Sequence, residues 1–202
     1  MNKIVVALPT RGLIFGRTVS SLIENKVDDI CIVEGLPIPD CHNEAVQQAL
    51  DKGATHVWMV EEDHYFPPDT LQKLLDLDTE VACANYPMRD GGKIGVVRLK
   101  DDKVWNCGMG CLLIRRSLFE RMEKPYFRSD KTFNAITWEQ IDKPSKYGGQ
   151  DIYFGWLMNQ MGVEIKQVTD FQVDHLRCSQ LERKEVNDGC YVIRSIEKLA
   201  KP

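Results

Sequence analysis

Three short apolar runs set the limits on what this chain can fold into. They are Ile4–Leu8 (IVVAL), Ile30–Val33 (ICIV) and His56–Val60 (HVWMV). Each is rich in β-branched or bulky residues, and turn-forming or acidic residues close it, the pattern of a strand buried on both faces. Helical periodicity fills the gaps. Val19, Leu22 and Ile23 share one face of Gly16–Asn25, and Ala45, Val46, Ala49 and Leu50 share one face of Asn43–Lys52. Asp40 or His42 lies near the start of the second helix and Gly53 stops it; Pro67–Asp76 is predicted as a third, with Pro68 in its first turn. Strand and helix alternating through the first 80 residues predict a mostly parallel sheet with helices on both faces.

Ligands of such sheets bind at the carboxyl ends of the strands. Here those ends are Pro9–Arg11, Glu34–Gly35 and Glu61–Asp63, all polar or acidic. The second half predicts a strand at Glu80–Asn85, a hairpin from Gly95–Leu99 and Lys103–Cys107, and a buried strand at Cys111–Ile114. A helix at Ser117–Glu123, a loop over Ser129–Gly149, a helix at Asp151–Met161 and a strand at Ile165–Val168 follow, with a terminal helix over Val192–Leu199. With no linker in view, one domain is expected over 1–202. It divides into a first half at 1–80, a second at 81–178 and a tail at 179–202.

The net charge of −4 argues against a protein that grips nucleic acid along its phosphates. The five apolar residues before Pro9 are too few for a signal-peptide core, and no run is long enough to span a membrane. Seven cysteines without a CxxC pair read as reduced thiols, so a cytoplasmic location is expected.

Three constellations carry chemistry. In Glu61-Glu62-Asp63-His64, three acids leave a buried strand together. Like charges so close repel unless a cation sits among them, and carboxylates suit Mg²⁺ or Mn²⁺; a solvated acidic turn is the alternative. Gly148-Gly149-Gln150-Asp151 places an acid at a helix N-terminus, either as a cap or as a general base. Asp174-His175 follows the last strand, and His175 gains meaning only beside Asp63.

Taken in order, these segments resemble the GT-A glycosyltransferases, in particular their family-2-type members, over roughly residues 3 to 178. Pro9-Thr10-Arg11 resembles the family's first loop, and Asp40–Ala45 its following helix start, with His42 where Arg is common. Glu61-Glu62-Asp63 resembles its DxD motif, read as ExD. Tyr86-Pro87-Met88-Arg89 resembles the segment after the fourth strand, and Gly108–Arg116 the glycine pair and next strand. Gly149-Gln150-Asp151-x-x-Phe154 resembles its Glu-Asp motif, with Gln150 in place of Glu, and His175-Leu176 its late histidine.

The resemblance implies a single GT-A (Rossmann-like) α/β domain with a small antiparallel hairpin. It implies transfer of a sugar from a nucleotide diphosphate sugar, a UDP sugar first, to a hydroxyl of a saccharide or other acceptor, with inversion. Asp63, His175 and Glu61 would hold Mn²⁺ or Mg²⁺, and Asp151 would be the base. Pro9, Thr10, Arg11, Glu34, Asn43, Glu61, Glu62, Arg89, Gly108 and Gly110 would border nucleotide and donor. Trp105 and Gln150 would face the acceptor, with Trp138, Tyr147 and Trp156 in a sugar platform and Arg177, Arg183 and Lys184 over the diphosphate. A nucleotidyltransferase and an inactive nucleotide-sugar-binding domain remain as alternatives.

Overall fold

The computed structural model describes residues 2–87, 96–98, 103–134, 137, 139–141, 149–176, 183–185 and 191–193. The chain runs β1 (Ile4–Thr10), α1 (Gly16–Glu24), β2 (Asp29–Glu34), α2 (Asp40–Asp51), β3 (His56–Val60), β4 (His64–Tyr65), α3 (Thr70–Asp76) and β5 (Val81–Asn85). Next come β6 (Val96–Arg98), β7 (Val104–Cys107), β8 (Cys111–Arg115), α4 (Arg116–Phe119), β9 (Thr132–Phe133) and β10 (Gln140–Ile141). The last elements are α5 (Gln150–Gln160), β11 (Ile165–Gln172), β12 (Asp174–His175), β13 (Arg183–Glu185) and β14 (Tyr191–Ile193).

Eight strands form one sheet in the order β2-β1-β3-β8-β5-β11-β7-β6. The pairs β1–β2, β1–β3 and β5–β11 are parallel, while β8 and β7 run against their neighbours. The alternating side-chain directions of a strand sort the core into two layers. Val5, Ala7, Val57, Met59, Leu112 and Ile114 pack with Ala45, Val46 and Ala49 of α2 and Phe154 and Met158 of α5. Ile4, Val6, Leu8, Trp58, Val60 and Leu113 face Leu22 of α1 and Leu71 and Leu74 of α3 on the other side. The middle of the sheet is therefore dry on both faces, and that is why β1, β3, β5 and β8 are apolar through their central positions.

The antiparallel strand β8 carries a glycine to the carboxyl edge of the sheet. Its register sets Cys111 opposite Val60, so Gly110 reaches the point where the acidic turn leaves β3. The hairpin β6–β7 joins this sheet through Ile165 and Val104.

Several boundaries differ from the sequence expectation. Helix α3 starts at Thr70, because Asp69 sits at φ 71 and breaks the helical path after Pro67-Pro68. Helix α4 stops at Phe119, where Arg121 and Met122 turn to tighter bonds on the carbonyls of Leu118 and Phe119. The 129–149 loop holds the short pair β9–β10. Tyr191–Ile193 pairs as a strand with Arg183–Glu185 where a helix was expected to begin, and the rest of Val192–Leu199 lies outside the described residues. Cys31, Cys41, Cys83, Cys107 and Cys111 are buried and none is in a disulfide. No helix among the described residues is long and apolar enough to cross a membrane.

Candidate active site

Glu62 and Asp63 form a turn between β3 and β4, and their side chains find different partners. Glu62 turns away from its neighbours and is buried. Its carboxylate accepts from the Thr10 hydroxyl (2.6 Å), the Arg11 backbone N–H (2.7 Å) and Arg11 Nε (2.6 Å), and it pairs with Arg11 Nη2. The Glu62 carbonyl accepts from Phe15 N–H and the Thr18 hydroxyl. Glu62 thus ties the loop after β1 to the end of β3, and its oxygens are committed to Thr10 and Arg11 rather than to a ligand.

Asp63 faces the other way and meets the late histidine. Its Oδ2 lies 3.2 Å from His175 Nε2, across 112 residues of chain. The short strand β12 makes this contact by pairing antiparallel with β4, which sets His175 opposite His64. Leu176 N–H closes on the Asp63 carbonyl at 2.6 Å. The rings of His64 and His175 stack at 4.6 Å. His64 Nδ1 faces Asp63 Oδ1 at 3.4 Å and Glu61 Oε2 at 3.9 Å. Burial opposes charge on Asp63, but hydrogen bonding and attraction from His175 and His64 prevail and hold its carboxyl well below the usual range. Burial also opposes the His175 imidazolium; bonding to Asp63 and to the Pro87 carbonyl (2.8 Å) outweighs it and raises the group.

This donor set fits a divalent cation. Glu61, Asp63 and His64 each offer a ligand atom, all within 4.8 Å of one another. A buried carboxylate flanked by two imidazoles combines hard oxygen with borderline nitrogen, which suits first-row divalent ions. His175 Nδ1 is engaged by the Pro87 carbonyl, which leaves Nε2, on the Asp63 side, as the nitrogen that would bind a metal after losing its proton.

Beside the turn lies a pocket of about 220 Å³. Pro9, Thr10 and Arg11 form one wall and Glu61, Glu62 and Asp63 another, with Leu36, Ile38, Cys41 and His42 completing it. Leu36 and Ile38 are nearly half exposed, an apolar surface offered to the pocket. His42 is buried, its Nε2 has no hydrogen-bond partner, and burial lowers it to about 4, so the ring is neutral. Two expected contacts lie elsewhere. Asn43 spends its amide on Phe127, accepting from its N–H (3.0 Å) and donating to its carbonyl (2.9 Å), and so pins the first turn of α2. Glu34 is exposed and does not line the pocket; a Cβ on Gly12 would lie 3.9 Å from its carboxylate.

At Gly110 the missing side chain serves the packing of two rings. Gly108 and Gly110 are buried. A Cβ on Gly110 would lie 2.7 Å from the His64 ring and 2.9 Å from that of Tyr86, so the glycine makes room for these rings. Tyr86 stays uncharged: burial first, then the fields of Glu61 and Asp151, push its phenol well above the ordinary value, and its oxygen accepts from Gly110 N–H (3.2 Å).

Asp151 sits in the first turn of α5, half-buried, with its carboxyl raised by burial against the pull of nearby backbone N–H groups. Gln150 is buried with its Oε1 unpartnered. Trp105 is half-buried on β7, and Trp156 stacks on Phe133 at 4.5 Å, an internal use for that face of the ring. Arg89, Trp138, Tyr147 and Arg177 lie outside the described residues, as do the side chains of Arg183 and Lys184. Sequence reasoning named His64 and Tyr86 within their motifs but gave neither a role of its own, and passed over Leu36 and Ile38.

No family model matches the chain, and no curated protein is significantly similar to it in sequence. Solved structures are similar in fold. A197 from STIV superposes with a TM-score of 0.66 at 16% identity, over 97% of this chain and 95% of that one. The mannosyltransferase PcManGT from Pyrobaculum calidifontis, solved with GDP-Man and Mn²⁺, gives 0.51 at 12% identity, over 88% of this chain and 58% of that one. The 4-diphosphocytidyl-2C-methyl-D-erythritol synthase of Anaerococcus prevotii gives 0.51 at 10% identity, over 98% and 95%. At such identities the likeness is one of architecture. The chain shares with them an α/β fold of the GT-A, Rossmann-like kind.

Proposed function

We propose that this chain is a metal-dependent glycosyltransferase that moves a sugar from a nucleotide diphosphate sugar, UDP-linked first, to a hydroxyl acceptor. The observation that carries the reading is the convergence at one sheet edge of Glu61, Asp63 and His175 beside the pocket walled by Pro9, Thr10 and Arg11. Asp63, His175 and Glu61 hold Mn²⁺ or Mg²⁺. An ion held there would supply charge neutralisation for the leaving diphosphate.

The nucleoside occupies the pocket, with its base against Leu36 and Ile38 and its edge near His42. Thr10 and Arg11 flank it, held in place by Glu62. Asp151 takes the proton from the acceptor hydroxyl. Its burial raises the carboxyl toward the range where a base can both accept and release that proton. One base facing the sugar gives inversion. Gln150 and Trp105 border the acceptor.

The test is a calorimetric titration of UDP into the protein, with and without Mn²⁺. Micromolar binding that requires the metal is the expected result. No binding under either condition, to UDP or GDP, overturns the reading. The likeness to the cytidyl-transferring synthase covers both chains almost end to end and favours a nucleotidyltransferase as the second reading. Release of pyrophosphate from a nucleoside triphosphate, with no use of nucleotide sugars, would select it.

A further inference from the structure

Strand β2 ends the strand order, with β1 on one side and no strand on the other among the described residues. A bare strand edge offers unpaired backbone N–H and C=O groups to another chain. The two faces of β2 are covered unequally. Cys31 and Val33 are buried in the layer that holds Ala45, Val46 and Ala49 of α2. Ile30 and Ile32 lie on the α1 side, in register with Val6 and Leu8, and there the cover stops: Ile32 is 53% exposed. Helix α1 buries Thr18, Ser21 and Leu22, and on one flank its Arg17 lies over the Tyr65 ring of β4, which follows β3. Val19 and Ile23, one turn apart, share the opposite flank, and β2 lies across β1 from β3; the two are 39% and 68% exposed. An aliphatic strip thus runs beside an open strand edge. Charged residues stand only at the ends of that strand, as Asp29 and Glu34, and Asp29 already pairs with Lys52 of its own chain (2.9 Å).

We propose that this edge is a dimer interface, where β2 pairs antiparallel with β2 of a second copy about a twofold axis through Ile32. A strand that pairs with itself in this way sets residues of one face opposite residues of the same face, and the charges then choose the register. With Ile32 on the axis, Ile30 stands opposite the partner's Glu34, Cys31 opposite the partner's Val33, and no acid faces an acid. With Cys31 on the axis, Glu34 would stand opposite the partner's Asp28, and like charges directly opposite are destabilising. With Val33 on the axis, each Ile32 would stand opposite an acid instead of its own kind. In the Ile32 register the two isoleucines meet, the aliphatic strips of the two copies join and leave water, and the twofold closes with no edge left over at β2.

The experiment uses the full chain. Sedimentation velocity at rising concentration should show a reversible monomer–dimer equilibrium. Ile32→Lys, which sets two ammonium groups face to face, should weaken it by at least about tenfold. Because Ile32 is largely exposed in the single chain, that variant should keep the circular dichroism and Tm of the isolated parent. Under mild oxidation Ile32→Cys should link to itself, since opposite Cα atoms of an antiparallel pair lie about 4.5–5.5 Å apart, within reach of a disulfide. Glu34→Cys, at an equally exposed position, should not, because this register sets the two copies of residue 34 about 13 Å apart along the strands. Peptide mapping separates a 32–32 link from links through the natural cysteines. A monomer at every concentration overturns the proposal, and so does a dimer that Ile32→Lys leaves unchanged, or 34–34 linking as ready as 32–32.

Discussion

Replacing Glu62 with Ala separates an anchoring role from a ligand-binding one. The buried carboxylate accepts from the Thr10 hydroxyl at 2.6 Å and from the Arg11 backbone N–H at 2.7 Å. The first bond is buried and worth about 1 kcal/mol, and the second, to a charged acceptor, about 1.5–3 kcal/mol. The ion pair with the Arg11 guanidinium adds little, because that side chain is 66% exposed and such pairs contribute about 0–1 kcal/mol. A loss of about 2–4 kcal/mol is therefore expected, which in a chain of this size lowers Tm by roughly 4–16 °C. Glu62→Gln keeps an acceptor for both bonds and should lose about 1 kcal/mol. Urea denaturation, with both variants compared at equal slope, measures this. Stability of Glu62→Ala within about 0.5 kcal/mol of the parent, combined with lost UDP binding, would refute the anchoring argument and return Glu62 to the donor site.

Gly110→Ala should cost about 1–3 kcal/mol, since its Cβ falls 2.7–2.9 Å from two buried rings; a urea denaturation midpoint equal to the parent's counts against this. His42 is neutral in the fold with its value lowered to about 4, so the unfolded chain takes up the proton first as pH falls from about 6.5. Stability contributed at neutral pH should decline by roughly 2–4 kcal/mol between pH 6.5 and 4, and in His42→Phe that limb of the denaturation profile should flatten. Asp151→Asn should abolish transfer while leaving UDP affinity within about twofold, and a variant that transfers at the full rate would remove Asp151 from the chemistry.

The strands were readable because burial on both faces leaves an uninterrupted apolar signature; His56–Val60 coincides with β3 to the residue. Helix ends were less readable where backbone geometry, as at Asp69, decides them. The acids of the turn could be placed at the sheet edge from the pattern of the chain, but not divided by role. The split between Glu62 and Asp63 depends on Arg11 and His175, far away in sequence. Asn43 shows the same limit: its composition suits a ligand contact, and its partner turns out to be the backbone of Phe127. His64 gave no signal of its own, because the two-residue pairing that defines its surroundings has no hydropathy pattern.

That pairing also bears on how this architecture can change. His175 is located by a local hydrogen-bonded register with His64 rather than by dead reckoning along the chain between them. Segments can be inserted into or removed from the intervening loops without moving the histidine, provided the bridge still forms. The entropic cost grows slowly, by about 0.6 kcal/mol for each doubling of a flexible loop. The loops between the acidic turn and His175 can thus vary in length, while the strands and helix α5 between them, and the centre they hold, stay fixed.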